Sequence, residues 1–111
     1  MIRWRSGLIP QSGTLLRRAR QNKKMFYVYV LKSKLTGKIY VGYSTDLKKR
    51  LTDHNRGKTR STKDQRPWFL VYYEAYQDAT DARKREASLK KNHAAKADLK
   101  RRIRSSLKSM V

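Results

Sequence analysis

Two runs of β-branched and aromatic residues flank a polar turn that ends at Gly37, and these are Phe26–Leu31 and Lys38–Tyr43. Runs of this kind, without internal breakers, are typical of β-strands, and the turn between them predicts a hairpin. Because side chains alternate along a strand, Tyr29 lies on the face opposite to its two valine neighbours. A register that places Tyr40 across from or diagonal to Tyr29 would bring two phenol groups together.

A short amphipathic helix is predicted after the hairpin. Asp46 has the side chain of a helix N-cap, and Gly57 stops the helix because glycine readily adopts the conformation that follows a last turn. The helix carries two pairs of side chains spaced one turn apart, an apolar pair, Leu47 and Leu51, and a polar pair, Arg50 and His54. We expect the polar pair to project together from a face next to the apolar one.

The second half of the chain predicts one strand and two helices. Trp68–Tyr76 is a third aromatic run of strand type, and Asp78 is a candidate cap for a helix that reaches Asn92. A last helix from Ala94 onwards presents one narrow apolar stripe, made by Leu99, Ile103 and Leu107. Its end, residues 105–111, is expected to fray.

One carboxylate interrupts an apolar stripe of the helix after Asp78. The stripe follows helical spacing and consists of Ala79, Ala82, Glu86, Leu89 and His93. Burying a carboxylate is costly unless it is paired or bound to a cation. Two explanations for Glu86 therefore stand side by side, a structural salt bridge to one of the many Lys and Arg residues, or a metal ion.

The balance of charge indicates a polyanionic partner. The chain has 29 Lys and Arg residues against 8 Asp and Glu residues, a formal net charge of +21 at pH 7. Such a charge repels itself in a compact state, and nucleic acid compensates it because each neutralised phosphate releases condensed counterions. Charge alone does not separate DNA from RNA. A membrane is disfavoured, since the sequence has no run long enough to span a bilayer and no lipidation motif.

The residue types limit any metal site. The chain contains no cysteine, which excludes a disulfide-linked partner and thiolate zinc sites. A metal must be held by carboxylates and is expected to be a hard cation, Mg²⁺ or Mn²⁺. Because Glu74 and Glu86 are the only glutamates and the aspartates are scattered, at most one ion is predicted. Mg²⁺ accepts a single protein carboxylate when water and substrate phosphate complete its shell.

Residues 1–24 contain no acidic residue and show no sustained periodicity. They predict a disordered basic arm outside the folded domain. Two alternatives are open. The composition also resembles an organellar transit peptide, and Met25, directly before the first strand, could be the true start, which would make the upstream residues a start-site artefact.

A polar basic loop follows the first helix and ends at Pro67. It is interpreted either as a solvated connector or as a loop that contacts DNA, and the net charge favours the second reading at least as much as the first. The candidate contacts to nucleic acid, in this loop and beside it, are Lys38, Lys49, Arg56, Lys58, Arg60, Lys63 and Arg66.

The order of the motifs resembles the signature of the GIY-YIG nucleases. YVYVL at residues 27–31, KIYVG at residues 38–42 and LKKRLTDHNRG at residues 47–57 are similar to its two tyrosine motifs and its arginine-bearing helix. The similarity covers residues 25–104 and is greatest to small, stand-alone bacterial members. It implies an α+β fold, a three-stranded antiparallel sheet flanked by helices, in a cytoplasmic protein that cleaves DNA with a divalent metal.

The resemblance also implies roles for four residues near the hairpin. Tyr29 would be the phenolate general base that activates water, and Tyr40 would shape the site and hydrogen-bond to the phosphate or the water. Arg50 would hold the scissile phosphate. His54, one turn further along the helix, would assist proton transfer.

The resemblance also concerns two later residues, and the first motif differs from the family pattern at one position. Glu86 would hold the metal ion, which would account for its place on an apolar stripe. Asn92 lies near a region where some members use an asparagine. The first motif lacks its usual glycine and reads Tyr27-Val28-Tyr29, which puts a side chain where the backbone could otherwise approach closely and could alter substrate access.

The leading hypothesis is therefore an endonuclease dependent on Mg²⁺ or Mn²⁺ that hydrolyses phosphodiester bonds in DNA, at structured or damaged sites as in DNA repair. The alternative is a non-catalytic module that binds DNA or structured RNA, and a third reading is an RNA- or ribosome-associated protein. No hypothesis specifies an oligomeric state.

Overall fold

A computed structural model describes residues 24–108 of the protein. The predictions for the basic arm and for the last residues of the tail concern residues 1–23 and 109–111, which lie outside the described residues. Within the described range the chain forms three strands, β1 Phe26–Ser33, β2 Ile39–Ser44 and β3 Trp68–Tyr76. They form one sheet with the order β2-β1-β3, and both pairings are antiparallel.

Four α-helices accompany the sheet in residues 24–108, and they are α1 Leu47–Asn55, α2 Ala79–Lys91, α3 His93–Arg102 and α4 Arg104–Lys108. The predicted α+β fold with a three-stranded antiparallel sheet is therefore confirmed. The predicted caps of the first two helices are also present, because Asp46 accepts a hydrogen bond from Lys49 N at 3.0 Å and Asp78 accepts one from Thr80 N at 2.7 Å. Gly57 follows α1 with a φ of +78°.

The apolar stripe predicted on α2 is wrong at its C-terminal end. Ala82 and Leu89 are buried, but His93 is exposed. The reason is Asn92, whose extended backbone ends α2 and whose side chain accepts hydrogen bonds from the first amides of α3. Because α2 ends at Asn92 and a new helix begins there, the i, i+3, i+4 spacing of α2 no longer places His93 on the buried face.

The two faces of the sheet support two separate clusters of apolar side chains. On one face the strand residues pack with α2 and α3, and this cluster comprises Val28, Val30, Val41, Ala82, Leu89, Leu99 and Ile103. On the other face Tyr29, Leu31 and Trp68 pack with Leu47 and Leu51 of α1. The alternation along β1 and the apolar role of α1 are thus as predicted.

The loop between α1 and β3 is anchored to the sheet. It contains a short 3₁₀ turn, Lys63–Gln65, and Thr62 beside it is 1% exposed. Trp68 Nε1 donates to the Thr62 carbonyl at 2.8 Å, and Ser33 Oγ donates to the Gln65 carbonyl at 2.6 Å. These hydrogen bonds hold the backbone of this part of the loop in place, and its basic side chains extend from it.

Candidate active site

Two tyrosines of the hairpin meet on the sheet face that α1 covers. Tyr29 is opposite Gly42 and Tyr40 is opposite Leu31, so the two tyrosines are diagonal neighbours. Their ring centroids are 6.2 Å apart, which agrees with the contact predicted from strand geometry. Tyr29 is buried and Tyr40 is half-buried. The first phenol is therefore enclosed, while the second borders solvent.

Gly42 makes room for the Tyr29 ring. A Cβ atom built on Gly42 would overlap Cζ and Oη of Tyr29 and would lie 2.9 Å from its Cε1 atom. A glycine inside a strand often marks such a close approach. The sequence carries this signal, but only the structure shows which ring the glycine accommodates.

His54 joins the tyrosines from α1 and is fully buried. Its Nε2 atom is 2.9 Å from Tyr29 Oη, and its ring centroid is 4.9 Å from that of Tyr40. On the other side of the imidazole, Nδ1 is 2.8 Å from Thr62 Oγ1. Both ring nitrogens are hydrogen-bonded, so the imidazole is held in one orientation. Thr62 lies in a polar loop without periodicity, and no sequence pattern indicates this contact.

Burial dominates the ionisation of the Tyr29–His54 pair. Desolvation raises the pKa of the Tyr29 phenol well above its usual value and Tyr40 adds to the rise, whereas the Arg50 guanidinium opposes it. Desolvation, together with the Arg50 charge, lowers the pKa of His54 to about 4. At neutral pH Tyr29 is therefore protonated and His54 is neutral. A resting phenolate, the form that the resemblance implies for Tyr29, is not favoured in this environment.

Arg50 brings positive charge to the site from α1. It lies one turn before His54, is half-buried, and influences the pKa of both Tyr29 and His54. The structure thus brings Arg50 and His54 to the same tyrosine, as their four-residue spacing predicts. A guanidinium stays charged at all working pH values, and its planar fork matches phosphate oxygens.

Glu86 approaches the site from α2. Its side chain is 20% exposed, and its Oε2 atom is 3.0 Å from Lys90 Nζ. Its charge contributes to the rise in the pKa of Tyr29, which puts the carboxylate within electrostatic reach of the phenol. Lys90 Nζ also lies 5.6 Å from the centroid of the Tyr40 ring. Lys90 is therefore an additional residue of the site, and its one-turn spacing from Glu86 is the signal that could have identified it.

The other glutamate has a different set of partners. Glu74 on β3 accepts hydrogen bonds from Arg85 Nε and Nη2, at 3.0 to 3.1 Å, and from the hydroxyls of Tyr72 and Tyr76. Burial raises the pKa of the Glu74 carboxyl, but these hydrogen bonds outweigh it and hold the pKa below its usual range. Glu74 therefore links β3 to α2 and is occupied by protein groups.

Asn92 lies at the junction between α2 and α3 and caps the second of these helices. Its Oδ1 atom accepts hydrogen bonds from Ala94 N at 2.9 Å and from Ala95 N at 3.1 Å. This is the geometry of an N-cap, which stabilises the first turn of α3. The oxygen that a ligand would use is thus engaged in capping.

The donor chemistry at Glu86 fits a single hard cation. Among residues 24–108, no group of three or more His, Cys, Asp or Glu side chains is placed to hold a metal ion. A Mg²⁺ ion that takes one protein carboxylate and completes its shell with water and phosphate needs no such group. Glu86 has the required oxygen ligands, is partly accessible and lies near Tyr29. Lys90 would share the carboxylate with the ion or give way to it.

Basic side chains are exposed on α1, on the loop after it and directly before β2. All seven candidates for contact with nucleic acid are exposed, namely Lys38, Lys49, Arg56, Lys58, Arg60, Lys63 and Arg66. Lys49 and Lys58 lie 3.4 and 3.9 Å from the oxygens of Asp53, and these exposed ion pairs are weak enough to rearrange around a phosphate. In the described part of the chain, no helix has the length and the apolar character needed to cross a membrane.

The chain is similar to proteins of one family. The family model described as the GIY-YIG catalytic domain matches residues 25–102. A UPF0213 protein of Staphylococcus saprophyticus is 42% identical over 65 residues, which make up 58% of this chain and 78% of that protein. A UPF0213 protein of Staphylococcus aureus strain Mu3 has the same identity and coverage. No solved structure matches the chain.

Proposed function

The chain belongs to the GIY-YIG catalytic domain family, and from this membership we propose that it is a metal-dependent endonuclease that hydrolyses phosphodiester bonds in DNA. The family implies a nuclease-type function, and nucleases of this family generally depend on a divalent metal. The observation that carries the finer proposal is the convergence of Arg50, His54 and Glu86 on Tyr29.

Tyr29 is proposed to act as the general base by passing its own proton to His54. As a water oxygen forms a bond to phosphorus, a water proton moves to Tyr29 Oη while the phenol proton moves to His54 Nε2, 2.9 Å away. The bond from phosphorus to the leaving sugar oxygen breaks at the same time, and that oxygen takes its proton from solvent. The two transfers leave Tyr29 neutral and His54 positively charged. This route needs no free phenolate, which suits a phenol whose pKa is raised by burial.

Arg50 and a metal ion held by Glu86 are proposed to balance the negative charge on the reacting phosphate. The guanidinium would hold the non-bridging oxygens, whose negative charge increases in the transition state. Glu86 would hold one Mg²⁺ or Mn²⁺ ion, which when bound supplies further positive charge to the phosphate. Tyr40, which borders solvent beside Tyr29, would hydrogen-bond to the phosphate or to the attacking water.

DNA is proposed as the substrate because exposed basic side chains lie on α1 and on the loop after it, the elements that supply Arg50, His54 and Thr62. Contacts to phosphate oxygens position a protein on nucleic acid without reading its sequence. Contacts of this kind fit recognition of structured or damaged DNA, as in repair, better than recognition of a sequence.

Nicking of branched and linear duplex DNA tests this function. We expect cleavage with Mg²⁺ or Mn²⁺, none after chelation, and losses on the order of a hundredfold for Arg50→Ala and for Glu86→Gln. The control is Glu74→Gln, which changes the other glutamate. Cleavage that survives both Arg50→Ala and Glu86→Gln would refute the assignment.

A non-catalytic role is the second candidate, and the Glu86–Lys90 ion pair favours it, because Lys90 already neutralises the carboxylate at 3.0 Å. A module of this kind would bind nucleic acid with a steep salt dependence and would not cleave it under any metal condition. Competition among duplex DNA, single strands and structured RNA distinguishes the preferred ligand.

A further inference from the structure

Thr62 is a buried polar residue in an otherwise exposed basic loop. It is 1% exposed, whereas the residues beside it, Ser61 and Lys63, are exposed. Its backbone is fixed by hydrogen bonds in both directions, since Thr62 N donates to the Thr59 carbonyl at 3.1 Å and the Thr62 carbonyl accepts from Trp68 Nε1 at 2.8 Å. The hydroxyl is therefore held in place by the loop and by β3.

The hydrogen bonds of this hydroxyl assign the proton on His54. Thr62 Oγ1 is 3.3 Å from the Thr59 carbonyl, which can only accept, so this hydrogen bond is made only when the single hydroxyl proton is directed there. Towards His54 Nδ1, at 2.8 Å, Thr62 Oγ1 must then accept. Nδ1 thus carries the N–H group. A neutral imidazole has one such group, so Nε2 presents a lone pair.

The lone pair of Nε2 faces Tyr29 Oη at 2.9 Å, so the phenol donates to it. The three hydrogen bonds form one directed chain, from Tyr29 to His54, from His54 to Thr62, and from Thr62 to the Thr59 carbonyl. In the opposite tautomer the phenol proton would have to turn away from His54, and the bond from Thr62 to Thr59 would be lost. The Thr59 carbonyl also accepts from Thr62 N and Lys63 N, but only with the proton on Nδ1 are all three hydrogen bonds of the chain made at once.

We propose that Thr62 is a positioning residue that fixes the tautomer of His54, so that Nε2 is ready to accept the proton of Tyr29. Its importance for cleavage rests on the proposed function. Its effect on the tautomer does not, because it depends only on the hydrogen bonds in the protein. After Tyr29 transfers its proton, both nitrogens of His54 carry hydrogen, and Thr62 Oγ1 continues to accept from Nδ1.

The tautomer can be measured directly by ¹⁵N NMR of the imidazole nitrogens in the full-length protein at neutral pH. We expect the wild type to show the form protonated at Nδ1. Thr62→Val, which keeps the shape but removes the acceptor, should shift His54 towards the form protonated at Nε2. Thr62→Ser keeps the hydroxyl and should retain the wild-type form.

Cleavage of DNA by the same variants gives the second readout. Thr62→Val should lower the nicking rate by about 10- to 100-fold, by analogy with removal of the hydrogen-bond partner of a metal-bound histidine, and Thr62→Ser should keep the wild-type rate. A wild-type His54 protonated at Nε2 would overturn the proposal even if Thr62→Val does not fold. If the wild type nicks DNA, nicking by Thr62→Val at the wild-type rate would overturn it as well. A tautomer shift without any wild-type nicking would support the positioning role and refute the proposed function.

Discussion

At the scale of single residues, the chemistry of Tyr29 and His54 depends on their being buried together. Either side chain in water would titrate near its usual value, but enclosure raises the pKa of the phenol and lowers that of the imidazole to about 4. Both groups are therefore neutral over the physiological range. A short hydrogen bond between two neutral groups is a suitable path for a proton that moves only when the reaction requires it.

The buried imidazole makes stability depend on pH. The pKa of His54 is about 4 in the folded protein and 6.5 as its unperturbed value, so between these values the unfolded chain binds the proton more readily. The free energy of unfolding should therefore rise by about 3 kcal/mol at most as the pH increases from 4 to 6.5. Above pH 6.5, His54 should cause no further change. Denaturant unfolding at pH 4 to 8 measures the effect.

Variants of the two histidines isolate this contribution. His54→Gln should remove that part of the pH dependence which lies between pH 4 and 6.5. His93→Gln, which changes the exposed histidine at the start of α3, should keep the wild-type profile. The same slope in the wild type and in His54→Gln would contradict the explanation.

The two glutamates form a matched pair with opposite expected effects. Glu74 is held by Arg85 and two tyrosines, so Glu74→Gln should lower the free energy of unfolding by about 1 to 3 kcal/mol and leave cleavage by the folded protein largely intact. Glu86 has one ion pair to a half-exposed lysine, so Glu86→Gln should change stability by less than about 1 kcal/mol and abolish most cleavage. Thermal unfolding and nicking rates of both variants check this. If Glu74→Gln lost cleavage and Glu86→Gln lost stability, the two roles would be reversed.

At the scale of elements, the hairpin and α1 place the site by spacing alone. The β1–β2 register makes Tyr29 and Tyr40 diagonal neighbours, and four-residue spacing brings Arg50 and His54 to them from one helix. Elements with regular geometry hold side chains more reproducibly than loops do. The exception is Thr62, which a loop supplies, and there hydrogen bonds to the backbone replace the regular geometry.

Gly42 tests how closely the hairpin constrains Tyr29. In Gly42→Ala the new methyl group would occupy the place of the Tyr29 ring, so the ring should leave His54 and nicking should fall by about tenfold or more. NMR would detect the movement as a loss of the ring-current shifts that the Tyr29 and His54 rings cause in each other.

Gly37→Ala is the control for a general glycine effect. Gly37 has a φ of +76° and open space around its Cα, so alanine there should cost about 1 kcal/mol of stability through backbone strain without moving Tyr29. If both variants kept full nicking, Gly42 would have no part in the site.

At the scale of the whole molecule, charge is the dominant property. A chain with 29 basic and 8 acidic residues has few internal partners for most of its cations. In the described residues the ion pairs are mainly of i, i+3 or i, i+4 type on helix surfaces, and such pairs contribute little to stability. The positive charge therefore remains available to a polyanion.

The salt dependence of binding measures this charge. Three neutralising substitutions in the loop after α1, Lys58→Gln, Arg60→Gln and Lys63→Gln, should weaken binding to duplex DNA and reduce the slope of log K against log salt by about 3. An equal loss of charge on α3, at Lys100, Arg101 and Arg102, is the control, because α3 packs on the other face of the sheet. Equal effects of the two sets would mean that the loop has no special contact with the nucleic acid.

Much of the fold was predictable because it depends on local patterns. Period-two alternation in β1 separates Tyr29 from Val28, the caps at Asp46 and Asp78 start their helices, and both are present in the structure. The motif order also predicted the family. Where prediction failed, at His93, a single capping side chain overrode an extended helical pattern.

The amino-acid sequence alone determined the strands, the helix starts, the charge and the family, because these follow from neighbouring residues or from an ordered set of motifs. Only the tertiary structure decided how Tyr29 is ionised, that His54 touches it across 25 residues of sequence, and that Thr62 hydrogen-bonds to His54. It also decided that Glu74 is occupied by Arg85, while Glu86 pairs with Lys90 and adds to the rise in the pKa of Tyr29. These outcomes depend on burial and on contacts between distant segments, and both arise only when the chain packs.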